Sequence, residues 1–335
     1  MITAEDLIHL PYTADLTEAG IAYACRSLAY IYDRMDASSF DRLQHIVGNV
    51  AVELTLRRYL GEEGIPFGTR GVSPFTDPNR HDITLGGHRC DVKSYLIAKR
   101  GQITDIRRDP ACLLQAPALV PLDQYSAGSH NDRDIYLFAF LCGLTTISQA
   151  DLQAASAAGQ PFYLIHPMPK PWARPSLWQP LGSLVLKSGA ETILSVELGG
   201  QTENRNFLSQ SVELPPRKRV QVEARFYTLA YIHAQDFSQG RIGIHSPSLD
   251  KTVVILPHQW GNIWVYGMDI LLAGYITHGE FHRRASLIRT GSRTLQYGMT
   301  HTRNLALPIV DLHPLGRLFE RVREWESATN SSDLE

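Results

Sequence analysis

The chain has only four cysteines, Cys25, Cys90, Cys112 and Cys142, widely spaced and with no CxxC pair. That argues against a disulfide framework or a structural zinc site. It also lacks an excess of either charge: 32 Lys and Arg against 34 Asp and Glu leave a formal net charge of -2 over 335 residues. No overall field draws it to nucleic acid or an anionic membrane, so any polyanion site must be a local patch. No apolar run approaches the ~18 residues of a membrane span, and "MITAEDLIHLPY" has no basic stretch followed by an apolar one. No membrane partner and a cytoplasmic location are therefore expected. GxSxG, P-loop, GxGxxG and HExxH patterns are missing, which leaves serine hydrolase, NTPase, dinucleotide-binding and zincin readings without support. No internal repeat is present.

What is there is ordinary globular material, 44% hydrophobic and 20% charged. Disorder is expected only at the ends, most clearly in "SATNSSDLE". The first 60 residues read as helical, because "LTEAGIAYACRSLAYIYDRM" and "FDRLQHIVGNVAVELTLRRYL" carry apolar residues at spacings of three and four. "GEEGIPFG" stops the second helix. After a candidate hairpin at residues 81 to 97, "KRGQITDIRRDP" reads as a basic loop, "DIYLFAFLCGL" as a strand covered on both faces, "SQADLQAASAAG" as a short helix and "PFYLIHPM" as a strand.

From residue 168 the texture changes. "PMPKPWARPSLWQP" reads as a linker, and short β-patterned runs follow from "GSLVLKS" to "KTVVILP". Helical texture returns in "MDILLAGYITHGEFHRRASLI" and "LGRLFERVREWE". The expected fold class is α/β or α+β: residues 1–167 a helical N-terminus and core sheet flanked by helices, 168–260 a β-sandwich-like insertion, 261–335 a segment packing on the core with a disordered tail.

The stretch "HDITLGGHRCDVKS" carries the chemistry. With Gly86 and Gly87 as the central residues of a type I′ or II′ turn, Leu85 faces His88, Thr84 faces Arg89, Ile83 faces Cys90 and Asp82 faces Asp91. Alternation then puts Asp82, Thr84, Arg89, Asp91 and Lys93 on one face and Ile83, Leu85, Cys90 and Val92 on the other. Opposed carboxylates ~4.5 to 5.5 Å apart at Cβ destabilise a hairpin unless something offsets them. A divalent cation would: hard oxygen ligands on adjacent strands suit Mg²⁺, with Mn²⁺ as a substitute. Lys93 would stabilise developing negative charge or orient a nucleophilic water. On the helix of residues 41 to 60, His45, Asn49, Glu53 and Arg57 form a polar stripe, from which Glu53 would complete the metal shell. The alternative is that Asp82 and Asp91 are solvated strand charges and Glu53 a solvated helix residue.

These residues resemble the PD-(D/E)xK nuclease superfamily, the restriction-endonuclease-like fold, over roughly residues 40 to 145. The helical acid is Glu53, the first strand acid Asp82, and the acid-x-Lys triplet Asp91, Val92 and Lys93, with His81 where the family has proline. The resemblance implies Mg²⁺-dependent phosphodiester cleavage, with Glu53, Asp82 and Asp91 around the metal and Lys93 near the attacking water. Double-stranded DNA is the substrate it implies, in restriction, defence or DNA processing, and a homodimer is compatible with it. An RNA-processing nuclease would share the site, and a non-catalytic binding or assembly protein on a nuclease-like scaffold is the rival from another class.

Lys99, Arg100, Arg107 and Arg108 follow the hairpin where phosphate contacts would serve a nuclease; a solvated basic loop explains them equally. Arg217, Lys218 and Arg219 form a second basic run, read as surface charge. Gln115 lies near the place of a substrate- or water-positioning glutamine in some members of the superfamily. His278 and His282, four apart, read as a packed or solvated pair. The aromatic residues Trp172, Trp178, Phe226, Tyr227, Tyr231, Trp260 and Trp264 read as core or loop anchors.

Overall fold

The computed structural model describes the chain apart from residues 28–38, 70–80, 128–129, 145–148, 158–162, 235, 237–238, 263–265 and 333–335, so Trp264 lies outside the described residues. It is a mixed α+β structure built on several sheets. The helices Ala14–Ser27 and Ser39–Glu62 form in the N-terminal region as their apolar spacing predicts, preceded by a short strand, Ile8–Pro11, that the helical reading of this region missed.

The largest sheet has six strands in the order Ile8–Pro11, Tyr266–Thr277, Ile135–Leu144, His88–Ile97, Ile83–Leu85 and Gly68–Thr69. All pair antiparallel except Ile135–Leu144 against His88–Ile97, which is parallel. The strand Ile135–Leu144 is apolar throughout because both faces are covered. Ile135, Leu137, Ala139 and Leu141 enter one core with the helices Ser39–Glu62 and Leu315–Ser332; Tyr136, Phe138, Phe140 and Cys142 enter a second, beneath the helix Arg100–Arg108 and the strand Pro117–Pro121.

Three segments differ from their sequence reading. Tyr266–Thr277, read as helical, is a strand of this sheet, followed by the short helix His278–Arg284. A short continuous apolar run fits a buried strand as well as a helix, and pairing on both edges decided it here. The expected basic loop is instead the helix Arg100–Arg108, anchored by buried Ile103 and Ile106, part of the crossover that a parallel strand pair requires. The helix Leu315–Ser332 continues into the C-terminal stretch expected to be disordered, while 333–335 lie outside the described residues.

The β-rich runs form a five-stranded and a four-stranded antiparallel sheet. Residues of both, including Leu186, Leu198, Val212, Ile232 and Ile244, share a third core with Trp172 and Phe226. The strand Leu164–Pro167 belongs here, paired with Thr228–Ala234, and its Ile165 packs with Ala230 and Tyr231 against the first core, joining the two halves.

Candidate functional site

The hairpin forms in the register counted outward from its glycines: Leu85 pairs with His88, Thr84 with Arg89 and Ile83 with Cys90. Gly86 and Gly87 both have positive φ, 53° and 78°, the type I′ pattern that glycine adopts without strain. Gly86 is doubly constrained, since a Cβ there would lie 2.0 Å from the Trp325 ring of the C-terminal helix. Ile83, Leu85 and Cys90 are fully buried, with Val92 against the same core, so the apolar face is the expected one.

The register holds as far as Ile83 and then departs from regular pairing. The Asp82 backbone N–H donates to the Cys90 carbonyl at 3.2 Å, and the Asp82 carboxylate accepts from the Val92 N–H at 2.8 Å, where a backbone carbonyl would otherwise continue the ladder. Asp82 is thereby locked beside Val92 rather than standing opposite Asp91 as an ordinary cross-strand partner. One hydrogen bond from a backbone amide orients a carboxylate firmly.

Asp91 and Lys93 share the face of Tyr95 and Ile97, toward the second core. The Lys93 ammonium lies 3.4 Å from Asp91 Oδ2 and 3.4 Å from Gln124 Oε1, and 5.5 Å from the centre of the Tyr136 ring. Both side chains are mostly covered, at 16% exposure for Asp91 and 18% for Lys93.

Glu53 sits on the opposite side. Its helix packs on the face bearing Cys90 and Val92, and Ser94, of the same parity, donates to Asn49 of that helix at 2.7 Å. Glu53 accepts from Arg57, which also donates to the Asp82 carbonyl at 3.0 Å. The polar stripe expected on the helix therefore runs along the hairpin from Ser94 to Asp82, but it brings Glu53 to Asp82 through Arg57 and not to Asp91. Among the described residues no group of three or more His, Cys, Asp or Glu is placed to hold a metal ion.

The face of Asp91 and Lys93 is walled by groups that the sequence reading did not assemble. His278 stacks between Tyr125 and His130, with ring centroids 4.8 and 4.7 Å away, and leans on Tyr136 at 5.6 Å. The Tyr125 hydroxyl bonds His282 Nδ1 at 2.5 Å. Asp134, buried in the adjoining loop, lies 3.4 Å from Arg89 and accepts from the Asn131 N–H, while its carbonyl accepts from the His278 N–H at 2.7 Å. Both ring nitrogens of His278 and the hydroxyl of Tyr136 are buried without a hydrogen-bond partner among the described residues. Burial holds the imidazole pKa values of His130 and His278 below the usual histidine range; for His130 the Asp91 charge opposes this. Burial pushes the Tyr136 phenol far up, aided by Asp91. The advance signal was the four-residue spacing of His278 and His282; Tyr125, His130, Asp134 and Tyr136 lie close together in sequence but far from that pair.

The remaining candidates are scattered. Arg107 is held by Asp269 through two hydrogen bonds of 2.9 and 2.7 Å, and Arg108 by Asp105 at 2.8 Å, so both meet carboxylates of their own chain. Lys99 and Arg100 are exposed at the start of the same helix. Gln115 is exposed on the crossover, and the glutamine that meets Lys93 is Gln124. Arg217 pairs with Glu191. No helix among the described residues is long and apolar enough to cross a membrane. No family model, curated protein or solved structure matches the chain.

Proposed function

We propose that the hairpin is the centre of a metal-dependent DNA endonuclease on a restriction-endonuclease-like sheet. The observation that carries this reading is the pairing of Asp91 and Lys93 on one strand face, in contact at 3.4 Å, beside an Asp82 carboxylate fixed by the Val92 amide.

The donor set fits Mg²⁺ or Mn²⁺. Asp82 and Asp91 are hard oxygen donors around one residue, Val92, and a hydrogen bond to a ligating carboxylate is the normal support for such a site. One or two carboxylates suffice where water and substrate fill the other positions. The Tyr136 hydroxyl on the neighbouring strand, without a hydrogen-bond partner among the described residues, leaves capacity for a water or substrate oxygen on this face. When bound, the metal would supply Lewis-acid activation of water and of the phosphate. Asp82 and Asp91 would hold it, and Glu53 would act on Asp82 indirectly, through Arg57.

The protein's own groups divide the remaining work. Lys93, steadied by the Asp91 carboxylate and the Gln124 amide oxygen, offers its ammonium to the attacking water and to charge developing on the phosphoryl oxygens. The wall of Tyr125, His130 and His278 limits bulk water around that charge, which strengthens the electrostatic contribution.

Supercoiled plasmid incubated with the purified protein should be nicked or linearised with Mg²⁺ or Mn²⁺ and left intact with EDTA. Asp91→Ala and Lys93→Ala should each lose about 10²–10³-fold in rate, the usual size for removing one group that stabilises transition-state charge. Wild-type rates in either variant would sink the mechanism. A non-catalytic binding protein on the same scaffold is the second reading, favoured by the engagement of Glu53 with Arg57 instead of a shared ligand site. It requires DNA binding in EDTA and no cleavage with any divalent ion.

A further inference from the structure

The β-rich half carries a cleft that the hairpin chemistry does not use. It has a volume of about 380 Å³, lies between the helical turn Lys170–Ala173, the segment that follows it and the start of the strand Lys251–Ile255, and is open to solvent. Its walls are apolar, formed by Pro175, Leu177 and Leu249 among others, and Leu177 is 67% exposed. Three cations, Lys170, Arg174 and Lys251, line it, and no aspartate or glutamate does among the described residues. Lys170 and Lys251 make no ion pair among the described residues, so their charge is not spent inside the protein. The Gln179 amide, which can donate and accept, is also in the lining.

A volume of this order suits a small organic group. The charge pattern demands an anion, and the walls demand an apolar body attached to it. A fatty acid brings one charge for the two lysines and nothing for Gln179. Duplex DNA brings many phosphates but keeps its bases stacked inside, leaving the apolar walls uncovered. An unpaired nucleotide within a DNA strand brings both: a flat base with apolar faces and a hydrogen-bonding edge, and a phosphate on either side.

We propose that this cleft binds an unpaired base of DNA, with Lys170 and Lys251 on the flanking phosphates and Gln179 on the base edge. The choice of nucleic acid rests on the reading of the hairpin given above; the anionic, part-apolar character of the ligand does not.

The test is fluorescence anisotropy of a labelled 12-nucleotide single strand, and of its duplex, titrated with the full chain in EDTA over a series of salt concentrations. The single strand should bind whether or not the duplex also binds through the hairpin face. The double variant Lys170→Glu, Lys251→Glu should weaken single-strand binding at least tenfold and flatten the salt slope by roughly 1.4, the counterion release of two phosphate contacts at ~0.7 each. Leu177→Ser should weaken it without changing the slope. All three positions are exposed, so folding is not at issue, and unchanged far-UV circular dichroism checks this. Wild-type single-strand affinity in the double variant, or an equal loss for single strand and duplex, overturns the proposal. Because no divalent ion is present, cleavage does not enter the readout: failure of the cleft leaves the hydrolytic reading standing, and intact single-strand binding by a protein that does not cleave leaves the cleft standing.

Discussion

The six-stranded sheet and the pair of β-sheets beside it differ in how densely they gather buried polar atoms. Around Asp91 and Lys93 the protein encloses imidazoles, phenols and a carboxylate, and among the described residues the Tyr136 hydroxyl and both His278 nitrogens have no hydrogen-bond partner. In the β-rich half the interior is mainly leucine, valine, isoleucine, Trp172 and Phe226, its buried Ser188 and Ser246 hydroxyls are hydrogen-bonded, His166 Nδ1 is buried without a partner among the described residues, and the cations stand at the rim of an open cleft. A buried polar group without a partner costs about 1–3 kcal/mol, so the first arrangement is destabilising unless it serves chemistry. The second costs little and suits binding. The proposed division of labour, hydrolysis at the hairpin and recognition at the cleft, is compatible with where each half places its polar groups.

The contrast should break most visibly in the β-rich core. Trp172→Ala removes a fully buried indole and should cost about 3–5 kcal/mol, read as a fall in the denaturant midpoint, whereas His278→Ala, in the polar wall, should cost far less. Equal losses would erase the distinction between the two interiors. Next in size is the turn. Gly86→Ala adds left-handed strain to a clash with Trp325 and should cost about 3 kcal/mol, while Gly87→Ala, with open space around it, should cost ~1 kcal/mol from strain alone. The same cost for both would mean that Trp325 does not close over the turn.

A smaller effect sharpens the electrostatic side. Burial, with His130 and His282 nearby, holds the His278 pKa down, while Asp134 and Asp132 pull it up and the neutral rings of Tyr125 and Tyr136 flank it. With the folded-state value depressed, the unfolded chain takes up the proton first. The stability from a neutral His278 is therefore fully present above about pH 6.5 and is lost as pH falls through the folded value. Melting temperatures between pH 7.5 and 5 should fall less steeply in His278→Gln than in wild type; parallel slopes would count against a buried neutral imidazole. The smallest contrast is on the surface: Arg107→Ala, which breaks a two-bond contact to Asp269, should cost up to ~1 kcal/mol, and Arg108→Ala close to nothing.

Much of the hairpin was legible because its logic is local. Two glycines fix the turn, a period of two sorts the faces, and the pairs Leu85–His88, Thr84–Arg89 and Ile83–Cys90 follow by counting. Counting does not reveal where a ladder ends. Asp82 departs from it because its own carboxylate takes the Val92 amide, a competition between side chain and backbone that no periodicity records. The helix of Glu53 was equally legible, but the face on which it docks depends on the strand order of the whole sheet. Tyr266–Thr277 was misread because a continuous apolar run carries no decisive period, and only pairing with Ile8–Pro11 and Ile135–Leu144 makes it a strand. The wall joins Tyr125, His130 and Tyr136, close together in sequence, to the distant His278, and no spacing rule reaches across that gap.

The most direct measurement is anomalous diffraction from a crystal soaked in Mn²⁺. The expected result is a peak bounded by the carboxylates of Asp82 and Asp91, absent from the Asp91→Ala protein. No peak there at saturating Mn²⁺, with Asp82 still held by Val92 and Asp91 by Lys93, would contradict a metal-dependent hairpin and favour the non-catalytic reading.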